Sequence, residues 1–173
     1  MKILITGICG TGKSTISKAL KDRGILSVDF SDVRGMCYWK DLKTEERVSY
    51  SPIESLGWFK NKSYFCDLTK LKEVLNQHES VVITGVASGS TMEYLPLFDK
   101  VILLQCSPEV FTHRMRTRTA LYGKTKAEQE DAIKWQKEFD PLLLSHGAIP
   151  VNTEGEISDV VDKIVAQIHS FIL

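Results

Sequence analysis

Short, continuous apolar runs rich in β-branched residues mark the chain at Lys2–Thr6, Ile25–Phe30, Val81–Thr84, Val101–Gln105 and Ala148–Val151. Runs apolar on both faces suit strands of a parallel sheet covered by helices on each side. Helical spacing separates most of them. After Gly12, Ile16, Ala19 and Leu20 share a face, and Gly24 is placed to stop the helix. Asp67 opens a second pattern through Leu68, Leu71, Val74 and Leu75. Ser107-Pro108-Glu109 combines a cap, a proline at the first helical position and an early acid. Thr125-Lys126-Ala127-Glu128 fits a capping box. The last pattern runs from Ile157 to about Ile172 and aligns Val160, Val161, Ile164, Val165, Ile168 and Phe171. This alternation predicts an α/β three-layer sandwich.

The stretch from Arg34 to Asp67 breaks the pattern. Trp39, Tyr50, Trp58, Phe59, Tyr64 and Phe65 lie there among charged residues and Pro52. Two readings stay open: a segment that covers a ligand, or packed helices whose aromatics fill core. With no repeat or linker, the 173 residues read as one domain over 1–173.

Charge narrows the function. Twenty-two basic residues balance twenty-two acidic ones, which argues against a general nucleic-acid binder or a membrane-surface protein. The balance is uneven along the chain: residues 110–127 carry five basic groups and no acidic one. Cys9, Cys37, Cys66 and Cys106 have no metal-binding spacing, and no stretch approaches the ~18 apolar residues of a membrane span. The expectation is a cytoplasmic protein with free thiols. The four histidines share no spacing that suggests a site.

The most specific feature is Gly7-Ile8-Cys9-Gly10-Thr11-Gly12-Lys13-Ser14, a GxxxxGK[ST] match between an apolar strand and an amphipathic helix. Its glycines let backbone N–H groups curl round a phosphate, and the helix N-terminus adds partial positive charge. Gly7, Gly10, Thr11, Gly12, Lys13, Ser14 and Thr15 are therefore the expected nucleotide-binding residues. Lys13 would reach the β/γ-phosphates, and Ser14 would complete a Mg²⁺ shell.

With that loop on the strand order described, the chain resembles a small P-loop kinase of the adenylate kinase and shikimate kinase superfamily. The resemblance implies a five-stranded parallel sheet in the order 2-3-1-4-5, a substrate-binding region after the second strand (about 34–67) and a lid after the fourth (about 114–127). It implies ATP and Mg²⁺ as cofactors.

Asp29-Phe30-Ser31-Asp32-Val33-Arg34 resembles the acidic cluster such kinases carry after the second strand. Asp29 or Asp32 would be the catalytic carboxylate, with Asp29 beside Ser14 at the metal; Asp32 could equally cap the next helix. Arg34 could clamp an acceptor phosphate or carboxylate. Thr84-Gly85 closes the third strand without the usual aspartate and resembles the segment whose backbone meets the acceptor in shikimate kinases, making Gly85 a substrate-binding candidate. Arg114 and Arg118, four residues apart, resemble lid arginines that neutralise the transferring phosphoryl group. Asn152 lies in a loop resembling the one that borders the adenine ring. Cys9 could be an activated thiol at the helix N-terminus or a tolerated bystander.

These residues point to an ATP phosphotransferase acting on a nucleoside, nucleotide or shikimate-like metabolite, as a monomer or homodimer. The alternatives are a polynucleotide 5′-hydroxyl kinase and a slow ATPase acting as a nucleotide-dependent switch.

Overall fold

Strands β1 (Lys2–Thr6), β2 (Ser27–Asp29), β6 (Val81–Thr84), β7 (Lys100–Gln105) and β8 (Ile149–Asn152) form one parallel sheet in the order β2-β6-β1-β7-β8. Counted among themselves, these five follow the order 2-3-1-4-5. The computed structural model describes residues 1–50 and 57–169, so the expectations for Pro52 and Phe171 lie outside the described residues.

Alternation along β1 explains the layers. Ile3 and Ile5 point to one face, where they meet Ile16 and Leu20 of α1 (Lys13–Asp22) and Val160, Val161, Ile164 and Ile168 of α6 (Ile157–His169). Leu4 points to the other. There it joins Leu71 and Leu75 of α2 (Leu68–Asn76), Tyr94 of the short α3 (Thr91–Tyr94), Phe111 and Met115 of α4 (Pro108–Thr117), and Ala132, Phe139 and Leu143 of α5 (Lys126–Ser145). Leu4 is fully buried, and trimming such a side chain to alanine costs about 2–5 kcal/mol.

The helix boundaries follow their caps. Gly24 takes a left-handed φ of 77° past α1, its N–H donating to Lys21 O at 2.9 Å. Asp67 accepts from Lys70 N at the start of α2, and Thr125 and Glu128 form a reciprocal capping box at α5. Ser107 precedes α4 but makes no side-chain cap; its N–H donates to Glu154 instead.

Among its described residues, the irregular stretch is not packed helices. It holds a second, antiparallel sheet of β3 (Cys37–Asp41), β4 (Arg47–Val48) and β5 (Lys62–Cys66) in the order β4-β3-β5. Asp41 bends the chain between β3 and β4 by accepting from Lys43 N and Thr44 N. Aromatic side chains suit a pleated, half-buried surface, and here they pair across strands, Trp39 opposite Tyr64 and Tyr38 opposite Phe65. Among the described residues, no helix is long and apolar enough to cross a membrane, and all four cysteines are free.

Candidate active site

The carboxyl ends of β1, β2 and β6 converge on the loop between β1 and α1. Gly7 has φ 148° and Gly10 φ 86°; a Cβ added to them would lie 2.5 Å from Leu104 O and 2.6 Å from Phe111 O, respectively. Only glycine allows that curl and that approach. Thr11 Oγ1 donates to Ile8 O at 2.8 Å, tightening the loop from within. Lys13 Nζ donates to Gly7 O and Ile8 O, each at 2.7 Å. Burial is the main force pulling the Lys13 ammonium below its ordinary value; Cys9 opposes it and Arg118 adds to it.

Asp29, at the end of β2 and 8% exposed, faces this loop. Its Oδ2 accepts from Ser14 Oγ at 3.0 Å and from Thr84 Oγ1 at 2.8 Å. Its Oδ1 accepts from Ser31 N at 2.9 Å and Ser31 Oγ at 2.7 Å. The set offers only oxygens beside a phosphate loop, the donor chemistry a hard cation such as Mg²⁺ prefers. Asp32 is turned elsewhere. It accepts from Asp29 N within a capping box and from Lys21 Nζ at 2.7 Å. Those hydrogen bonds, Lys21 first, hold its carboxyl below the usual range.

A cavity of about 620 Å³ opens over the loop, walled by residues 10–16, Arg114, Arg118, Thr153 and Gly155 among others. Arg114 reaches it from α4, its guanidinium donating to Thr153 Oγ1 at 3.2 Å and Thr153 O at 2.7 Å. Arg118 lies just beyond α4 in extended backbone (ψ 164°), so it enters the cavity by leaving the helix rather than by sharing a face with Arg114. Its Nη2 donates to Tyr122 O at 2.9 Å, while its buried Nε has no hydrogen-bond partner among the described residues.

A second cavity, of about 720 Å³, also reaches the loop. Cys9 belongs to its wall, with Trp39 and Tyr64 from the antiparallel sheet, Tyr50, Tyr122 and Trp135. One buried carboxylate joins its covers. Glu128, fully buried, accepts from Gly123 N and Lys124 N, both at 2.8 Å, and from the Tyr50 hydroxyl. Burial, then Glu128, pushes the Tyr50 phenol above its ordinary value.

Residues 3–136 match the model of a family described as an AAA domain. The chain belongs to the AAA domain family and has the fold of a small P-loop kinase. Within and around this AAA domain it is 31% identical over 172 residues to a protein of Methanocaldococcus jannaschii named "Putative adenylate kinase", covering 97% of this chain and 86% of that one. It is also 31% identical over 183 residues to a UPF0200 protein of Pyrococcus abyssi, covering 99% and 89%. Among solved structures it is similar to shikimate kinase from Acinetobacter baumannii in complex with shikimate, with TM-score 0.61 and 19% identity over 98% of this chain and 93% of that one. Deoxyadenosine kinase from M. mycoides with bound dATP gives TM-score 0.56 and 19% identity over 98% and 100%. At those identities the likeness concerns the fold.

The AAA domain brings Lys13, Ser14, Thr15, Arg114 and Arg118 to one cavity, with Asp29 bonded to Ser14. Other expected residues stand apart. Arg34 is exposed and lines neither cavity. Gly85 lines neither cavity, and a Cβ there would lie 2.3 Å from the Phe30 ring, so packing alone requires a glycine. Asn152 is exposed and spends its Oδ1 on Glu154 N at 2.8 Å, so its buried neighbour Thr153 is the residue at the cavity. Sequence reasoning missed Thr84 as the partner of Asp29, Thr153 as the anchor of Arg114, and the reach of Glu128 beyond its capping box. Each is a polar residue at a strand or helix end, a signal too common to single out without the fold.

Proposed function

We propose that the protein transfers the γ-phosphoryl group of ATP to the hydroxyl of a small-molecule acceptor. One observation carries this reading: two cavities meet at the phosphate loop, residues 10–16 lining one and Cys9 lining the other. Transfer needs two sites meeting at one phosphate, whereas hydrolysis needs only one.

In this reading the loop amides, the α1 N-terminus and Lys13 hold the phosphates of ATP. Ser14 would hold Mg²⁺ with Asp29 behind it; the metal, when bound, neutralises charge on the β- and γ-phosphates. Asp29 accepts four hydrogen bonds, one of which fixes the Ser14 hydroxyl, and that is its role here. The acceptor oxygen forms a bond to the γ-phosphorus as the bond to the β–γ bridging oxygen breaks, ADP leaves with that electron pair, and the acceptor proton passes to solvent water. Arg118, whose Nε has no partner among the described residues, and Arg114 stabilise the charge on the moving group. Residues 114–127 serve as the lid and 34–67, which contains the antiparallel sheet, as the acceptor-binding insert.

An ADP-release assay against nucleosides, nucleotides, sugar-like metabolites and 5′-hydroxyl oligonucleotides tests the proposal. ADP formation should depend on one acceptor class and fall at least about a hundredfold in Lys13→Ala. ADP release indifferent to every acceptor would instead make the protein a slow ATPase switch.

A further inference from the structure

Resting on the phosphotransferase reading, we infer that the cavity beside Cys9 takes an uncharged, flat heteroaromatic acceptor carrying a hydroxyl: a nucleoside rather than a nucleoside monophosphate. Its wall is aromatic on several sides at once. Trp39 contacts Tyr50 in a stacked pair at 6.0 Å and Tyr122 at 6.2 Å, while Tyr64 and Trp135 face the same space. Flat apolar walls favour a planar ring, and about 720 Å³ holds a compound of that size.

Charge then decides between nucleoside and nucleotide. A phosphate monoester brings about two negative charges, which proteins usually meet with guanidinium forks or several ammonium groups. No arginine lines this cavity among the described residues, and residues 51–56 contain neither lysine nor arginine. The arginines are committed elsewhere: Arg114 and Arg118 to the other cavity, Arg23 to Asp162, and Arg47 to Asp67 and to the Tyr38 ring at 3.8 Å. Arg34 and Arg116 are exposed and line neither cavity. The two wall lysines are matched by carboxylates. Lys62 Nζ sits 3.1 Å from Asp41, and Lys134 shares its helix face with Asp131 and Glu138, both also in the wall. A dianion there would meet as many acidic groups as basic ones.

The chain reports its own ligand. Its three tryptophans are Trp39, Trp58 and Trp135; two line the cavity, and Trp58 meets Trp39 edge-on at 4.8 Å. Titrating the protein with adenosine, guanosine, cytidine, uridine and thymidine, and with their 5′-monophosphates and shikimate, should quench this fluorescence most strongly with a nucleoside. That nucleoside should bind at least tenfold tighter than its own monophosphate and should support ADP release. Trp39→Ala should raise its KM at least tenfold with little change in kcat, and Trp39→Phe should restore most of the loss. Tighter binding or faster turnover with a monophosphate, or turnover with shikimate, overturns the inference while keeping phosphoryl transfer. Quenching by a nucleoside without ADP release supports the recognition and overturns the transfer reading.

Discussion

The two cavities flanking the phosphate loop are built by opposite means. The one over residues 10–16 is made largely of backbone: glycines at positive φ, a helix N-terminus, and side chains such as Lys13 and Thr11 that bond back to the loop carbonyls. The one beside Cys9 is made of side chains from a small antiparallel sheet, a turn and a helix far apart in sequence. A backbone site recognises what every nucleotide shares. If the proposed transfer holds, a side-chain site could be recut, by changing a few rings, to a different acceptor.

The sharpest way to break this contrast is at the arginines. Arg118→Ala should lower kcat at least about a hundredfold with a smaller effect on KM for the acceptor, since it removes charge stabilisation specific to transfer; steady-state kinetics with both substrates varied would show it. Asp29→Asn should follow, cutting kcat by tenfold or more, whereas Asp32→Asn should leave kcat unchanged and lower stability by about 1 kcal/mol through its capping box. Equal kinetic losses in the two variants would return Asp32 to the site.

Legibility in the sequence follows the same division. Five apolar runs and the GxxxxGK[ST] spacing revealed the parallel sheet, its helices and the phosphate loop, because strand burial and backbone curl are local properties. Asp29 and Asp32 could not be told apart, since the difference lies in partners from other segments: Ser14 and Thr84 for one, Lys21 for the other. Thr84-Gly85 resembles an acceptor segment, but the packing need at Gly85, where a Cβ would meet the Phe30 ring at 2.3 Å, shows only in the fold. The aromatic insert gave no single periodicity, and only pairing such as Trp39 with Tyr64 fixes it as a sheet.

Smaller effects sharpen the comparison further. Tyr50→Phe should cost about 1 kcal/mol by thermal denaturation, since Glu128 keeps its bonds from Gly123 and Lys124. Least of all is an acid effect at Asp32. Its folded carboxyl lies below its unfolded value, so its contribution is present above about pH 4 and fades as pH falls further. Exposure to solvent keeps it small, and acid titration of Asp32→Asn beside wild type should show a slightly shallower loss.

Glu128 has a consequence beyond holding a turn. One carboxylate fastens both the 122–125 turn, beside the arginines, and Tyr50, in the roof of the aromatic cavity. The turn and Tyr50 thus share a single anchor: replacing Glu128 would leave the Gly123 and Lys124 N–H groups and the Tyr50 hydroxyl without that acceptor at one stroke.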